Sequence, residues 1–184
     1  MNAQKIIENI PWKRFSTPSS NTATDLKQKF QQVLDGGADQ DTYKYIIDNV
    51  EHQNTLWRIS PWALKLFIAF LEEEKTDKKQ LLEFISVIFT AANYQMQMQR
   101  LEYRPVKRMM DKYSQIKGQF FDDENTEEFW EIYKSLHRYF INVVALKYIS
   151  ECSSLFENFI PSEDAEVKEA AEALVYSIKN PKQY

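Results

Sequence analysis

The sequence predicts an all-α single domain, a stack of short helices. Three observations carry this reading. Val167, Ala170, Ala171, Leu174, Val175 and Ile178 recur at helical spacing, with mostly Glu, Lys and Ser between them. The 184 residues include only three glycines (Gly36, Gly37, Gly118) and six prolines, too few turn residues for a sandwich or barrel. Hydrophobic residues at 43% and aromatics at 14% give a chain of this length the means to bury a core and argue against disorder. The C-terminal amphipathic stretch cannot bury its own face. Its small Ala residues let a neighbouring helix approach, as a stacked array requires.

Residues 1–20 read as a lead-in, closed by the turn-rich run Ser16–Thr22. Residues 21–93 read as two helical hairpins. Ser20, Asn21 and Thr22 are candidate N-caps for a helix through Leu34 with Leu26, Phe30, Val33 and Leu34 inward. The run from Asp35 to Asp39 stops it, since glycine accepts a left-handed turn. A second helix is expected from Asp41 to about Glu51 on the stripe Tyr43, Ile46, Ile47 and Val50. The polar corner at 52–55 follows. Ser60 is placed as the cap of a third helix, with Pro61 at its first position and Trp62, Leu66 and Phe70 inward. A charged joint at 72–79 leads to a fourth helix carrying Leu81, Phe84, Ile85, Ile88 and Phe89.

Residues 94–125 read as an irregular middle, although the Gln-Met alternation at 94–99 suits a continuing helix. Arg104-Pro105 marks a break. Residues 126–184 read as a long helix to Glu151, seamed by Phe129, Ile132, Tyr133, Leu136, Phe140, Val143 and Val144, followed by a C-terminal hairpin. Asn125 and Glu128 have capping-box spacing at its start.

Net charge is −4 and the pI is near 5.3. That disfavours general nucleic-acid binding, which needs a strongly basic surface. It permits attraction to basic proteins. Cys152 is the single cysteine, so no intrachain disulfide forms and a reducing compartment fits. No apolar run at the N-terminus has signal-peptide length, and no segment reaches the ~18–20 apolar residues of a membrane span. The expectation is a cytoplasmic protein.

Two blocks resemble HEAT repeats. One is Leu155-Phe156-x-x-Phe159 followed by Asp164-x-x-Val167-Lys168-x-x-Ala171-x-x-Leu174. The other runs from Ile46-Ile47-x-x-Val50 through His52-Gln53-x-Thr55-x-Trp57 to Ser60-Pro61-Trp62-Ala63-Leu64-x-Leu66. The second is similar to bacterial HEAT-like proteins in which one helix ends in His-Gln-x-Thr and the next begins near a proline. Trp12, with a loop and a helix behind it, fits the start of such proteins. The resemblance spans about half the chain, and no clean ~40-residue period is visible. It implies a short, divergent α-solenoid of HEAT-like hairpins. Many members of that loose group sit in polymorphic-toxin or contact-dependent inhibition systems, as immunity proteins or as proteins of unassigned role.

The chemistry-bearing residues are few. His52, Gln53 and Thr55 sit at an inter-helix corner; a structural role satisfying backbone groups is expected there, with partner contact as the alternative. His52 and His137 are far apart, there is no Cys pair, and Lys134 stands three before His137, so neither a zinc nor a di-iron site is expected. Cys152 has Glu151 and serines beside it rather than a base, and reads as a structural thiol. Arg108 and Lys107 with Tyr103 and Tyr113 suggest a phosphate or nucleic-acid patch, but Glu102 and Asp111 dilute it into a solvated face. Asp122, Asp123, Glu124, Glu127, Glu128 and Glu131 pack six carboxylates into ten residues, with Trp130 and Tyr133 alongside. One reading is a solvated loop and first helical turn. The other is the binding surface for a basic toxin domain, anchored by Trp130.

The expected function is therefore a non-enzymatic binding protein: an immunity protein that occludes the active site of a cognate toxin, with no cofactor, metal, nucleic acid or membrane. A general HEAT-like scaffold is the alternative. A nucleic-acid-processing enzyme on HEAT-like repeats, as in certain DNA glycosylases, is the third and needs a basic groove that the charge does not favour.

Overall fold

Helix α4, Ser60–Phe70, is buried along all eleven of its residues. A helix that is apolar on every face has only one stable place, the middle. The spacing of Trp62, Leu66 and Phe70 predicts a single buried stripe. The computed structural model, which describes residues 2–100 and 138–182, buries Ala63, Leu64, Phe67, Ile68 and Ala69 as well. Lys65 is buried among them at 1% exposure, with Nζ 5.8 Å from the centre of the Trp62 ring.

Seven other α-helices are found among the described residues: α1 Ala3–Asn9, α2 Thr24–Leu34, α3 Gln40–Val50, α5 Lys78–Arg100, α6 Arg138–Glu151, α7 Ser153–Glu157 and α8 Ala165–Lys179. No helix of the described residues is long and apolar enough to cross a membrane. Helix α1 packs on α2 and α4, α2 on α3, and α5 on α4, α6 and α8, while α8 also meets α7. Within residues 21–93, α2 packs on α3 and α4 on α5. Phe67 holds them together, with its ring 5.6 Å from that of Phe30 on α2 and 5.5 Å from that of Phe84 on α5.

Several helix starts differ from expectation. Helix α2 begins at Thr24 behind Ala23, with no side-chain cap. Ser20 is engaged elsewhere: its backbone exchanges two hydrogen bonds with Thr17 around a tight turn, and its hydroxyl accepts from Thr22 N. Ser60 lies inside the first turn of α4 rather than capping it. Its hydroxyl accepts the Trp57 N–H at 2.8 Å and donates to the Val50 carbonyl, tying α4 back to the end of α3. Helices α3, α5 and α8 carry aspartate caps: Asp39 accepts from Thr42 N, Asp77 from Gln80 N, and Asp164 from Glu166 N and Val167 N. Helix α5 does not stop at residue 93 but continues through the Gln-Met alternation to Arg100.

Among the described residues, the corner between α3 and α4 holds the only β-strands. Strands β1, Glu51–His52, and β2, Thr55–Leu56, pair antiparallel, with Glu51 opposite Leu56 and His52 opposite Thr55. Gln53 and Asn54 have φ of +53° and +57°, the doubly left-handed turn whose twist suits a two-residue hairpin. The signal was weak because glycine is absent from the turn.

The acidic residues Asp122, Asp123, Glu124, Glu127, Glu128 and Glu131, together with Trp130, Tyr133 and His137, the basic residues beyond Arg100, the Asn125/Glu128 capping box and the expected start of the long helix lie outside the described residues. The end of that helix, Glu151, falls where the sequence placed it, and Phe140, Val143 and Val144 are buried as expected.

Candidate functional site

Helices α5 and α8 run side by side in the same direction. Near their starts, Lys79 Nζ meets Glu166 Oε2 at 3.3 Å. Near their ends, Asn93 Nδ2 donates to the Lys182 carbonyl at 2.9 Å and Gln97 Nε2 donates to the same oxygen. Val167, Ala171, Leu174 and Val175 supply the buried stripe of α8, and this spacing is what lays the helix against α5. Ala170 and Ala173 lie beside that stripe. Because their side chains stop at Cβ, the seam stays open as a groove of about 320 Å³, lined by Lys79, Glu83, Ser86, Glu166, Glu169, Ala170 and Ala173.

The electrostatics of the groove are one-sided. Three carboxylates face one ammonium, and that ammonium is already bridged. Glu166 holds Lys79 above the usual lysine value, first by its hydrogen bond and then by its charge. Two more pairs decorate α8: Lys179 with Glu157 of α7 at 2.8 Å, and Lys168 with Glu172 at 4.0 Å. Exposed pairs of this kind contribute little to stability. Their effect lies in the field that an approaching partner meets. Tyr176, 69% exposed, stands one turn beyond Ala173 on α8.

A second recess of about 390 Å³ lies between the α2–α3 turn and the α4–α5 joint, lined by Gly36, Ala38, Asp39, Gln40, Tyr43, Lys75 and Asp77. Both carboxylates there are helix caps. Asp39 is held below the usual carboxylate value by its hydrogen bonds from Thr42, and burial pushes the Tyr43 hydroxyl up. The residues of this recess serve the joint, which makes the α5/α8 seam the better candidate.

The sequence-predicted corner residues come together on the hairpin. His52 and Gln53 are exposed and Thr55 is half-buried. The turn is held by neighbours that sequence reasoning did not single out: Glu51 Oε1 accepts the Asn54 N–H at 2.6 Å, and Gln95 Nε2 of α5 donates to the Asn54 carbonyl at 2.7 Å. Burial raises the Glu51 carboxyl above its usual value, although the Asn54 hydrogen bond acts the other way. Cys152 is half-buried, and burial, with Glu151 second, pushes its thiol up to about 11. A thiol so placed is a poor nucleophile at neutral pH.

Lys65, Asn93, Gln97 and the lining of the seam were also missed. A single lysine inside an otherwise apolar run was the available signal for Lys65. For Asn93 and Gln97 it was the i, i+4 spacing of two amides. Among the described residues, no group of three or more His, Cys, Asp or Glu side chains is placed to hold a metal ion. Comparison with known proteins finds no matching family model, curated protein or solved structure.

Proposed function

We propose that this chain is a binding protein whose partner is a basic protein domain, and that it acts as an immunity protein, occluding the active site of a cognate bacterial toxin. The observation that carries the reading is the open, carboxylate-lined groove along α5 and α8. Such a surface raises the encounter rate with a cationic cleft and fixes the partner's orientation. The HEAT-like resemblance of the 155–174 block supports it, since that block contributes the α8 wall. A short solenoid of helical hairpins is the architecture we infer. In its favour, α5 and α8 run parallel, as corresponding helices of successive hairpins do in a stacked array.

The acidic run Asp122 to Glu131, with Trp130, stays in the proposal as a second contact region, and the cytoplasm is the compartment proposed. A nucleic-acid-processing enzyme is disfavoured at this seam, because three carboxylates repel a phosphate backbone.

The test begins with a pull-down of the tagged protein from its native cells and identification of the captured protein. The affinity of that partner is then measured against two charge-reversed variants. In one, Glu83, Glu166 and Glu169 become Lys; in the other, Asp122, Asp123, Glu127 and Glu128 do. The expected result is a loss of affinity of about tenfold or more in the seam variant, larger at low salt. A partner that binds both variants as it binds the parent chain would end the proposal.

A further inference from the structure

The large apolar side chains left exposed among the described residues are Val87, Met98 and Tyr176. All three belong to α5 or α8, the two helices of the seam. Single exposed apolar residues are ordinary on a protein surface, but their confinement to one helix pair is not. Val87 stands one turn beyond Glu83 on α5, and Tyr176 stands two turns beyond Glu169 on α8. Lys79 meets Glu166 near the helix starts, and Asn93 meets the chain just past the end of α8. The helices keep one register between these points, so Val87 and Tyr176 stand at about the same height on the two walls.

The seam therefore has a direction. At one end Glu83, Glu166 and Glu169 surround the single cation Lys79; beyond them lie the small side chains of Ser86, Ala170 and Ala173. At the other end the walls rise into the two exposed apolar groups. The seven residues from Glu169 to Tyr176 cover ~10 Å at ~1.5 Å per residue. A complementary ligand carries a cation and an apolar group at that separation on one face, which two turns of helix provide. An extended segment fits poorly, because its backbone needs hydrogen-bond partners and a helical wall has spent its own N–H and C=O groups internally. A helix arrives with its backbone satisfied, and the small side chains of the seam let it come close. A second copy of this chain does not fit either, since a two-fold contact through this face sets the three carboxylates against their own images.

We propose that the seam receives an amphipathic helix of the partner, with a Lys or Arg seated among Glu83, Glu166 and Glu169 and an apolar side chain two turns along, between Val87 and Tyr176. This rests on the reading of the chain as the binder of a basic protein, and specifies the element that the partner inserts.

The probes are three synthetic 18-residue peptides on one helical Ala/Gln host. The first carries two Arg one turn apart and a Leu seven residues after the first Arg, all on one face. The second moves the Leu to the opposite face. The third has Glu in place of both Arg. Each is titrated into the full chain, into a rim variant with Val87→Ser and Tyr176→Ser, and into the seam variant in which Glu83, Glu166 and Glu169 become Lys. Both rim positions are exposed, so the rim variant keeps the core. The readout is the backbone amide NMR shifts of Ser86, Val87, Ala170, Ala173 and Tyr176.

The first peptide is expected to move these signals with a Kd of about 1 mM. Moving the Leu, or removing the rims, should weaken binding by about fivefold or more. The Glu peptide should leave the parent chain unmoved, and the seam variant should not respond to the first peptide. If the Leu position and the rim variant make no difference, the helix inference is overturned, while loss of binding with the Glu peptide and the seam variant leaves the basic-partner reading intact. If those two also bind like the originals, both fall. If no peptide moves the seam signals at several millimolar, the helix inference is overturned and the captured partner alone judges the wider reading.

Discussion

Helices α4 and α8 are built to opposite specifications. Every residue of α4 is buried, whereas α8 buries only Val167, Ala171, Leu174 and Val175 of its fifteen. The position of α4 is over-determined by contacts on all sides. The position of α8 rests on one stripe, an aspartate cap and a few exposed ion pairs. A partner-reading surface can be varied on α8 without disturbing the core, and no such freedom exists on α4. Mutational cost should therefore fall from α4 to α8.

The steepest contrast is in the packing. Phe67→Ala on α4 removes a ring wedged between Phe30 and Phe84, and should destabilise the protein by about 3–5 kcal/mol. Leu174→Ala on α8 also empties a fully buried site, but beside a helix with an open flank that can settle inward. A loss of about 2–3 kcal/mol, at the low end of the leucine range, is expected there. Urea unfolding of both variants checks this. Equal losses would mean that α8 is held as rigidly as α4.

The helix starts differ in the same sense. Ser60→Ala removes the hydroxyl shared by the Trp57 N–H and the Val50 carbonyl, which keep their direct bond at 3.3 Å, for about 1–2 kcal/mol. Asp164→Ala removes an exposed cap from Glu166 N and Val167 N, for about 1 kcal/mol, since water can replace it. Thermal unfolding should rank them in that order.

At the hairpin the sign depends on pH. Burial lifts the Glu51 carboxyl above its usual value of 4.5, so the folded state holds that proton more tightly than the unfolded state. The contribution of Glu51 to stability is full below pH 4.5 and is lost as pH rises through the folded value. Asp39 works the other way: its value lies below 3.8, and its contribution is lost as pH falls through that lower value. Glu51→Gln keeps an acceptor for the Asn54 N–H without the charge. It should gain no more than about 0.5 kcal/mol at neutral pH after solvent screening, and less in acid. Melting temperatures of both chains across pH 3–7 test this. A loss at pH 7 would show that the bond to Asn54 outweighs the desolvation.

How far the sequence could be read follows the same division. Helix α8 was the most legible, because a one-sided helix writes its environment into a period, and the stripe from Val167 to Ile178 is a local feature. Helix α4 was read as a stripe because Trp62, Leu66 and Phe70 match one. The encirclement that buries Lys65 comes from helices distant in sequence. Ser20, Asn21 and Thr22 misled as caps because the Thr17–Ser20 turn engages Ser20 first. The hairpin at 51–56 was invisible, since four strand residues are too few to show alternation and its turn carries Gln53-Asn54 in place of a glycine. The groove could not be read at all. It exists because Glu83 and Glu166, far apart along the chain, are brought onto facing helices, and no local pattern encodes that adjacency.

The smallest structural change offers the sharpest functional test of the seam. Lys79 and Glu166 are both substantially exposed, so Lys79→Gln should alter stability by less than about 0.5 kcal/mol. It removes the one cation among the groove's carboxylates, leaving Glu166 open to a cation from outside. If the groove receives a basic partner, Lys79→Gln should tighten association with the captured protein by about threefold at low salt, mainly through a faster on-rate, and the gain should fade as salt rises. Glu166→Lys should do the reverse at a similarly small stability cost. A single salt series on these two variants separates the readings. Opposite and salt-sensitive shifts assign the groove to recognition, and matching losses assign the Lys79–Glu166 pair to holding α8 in place.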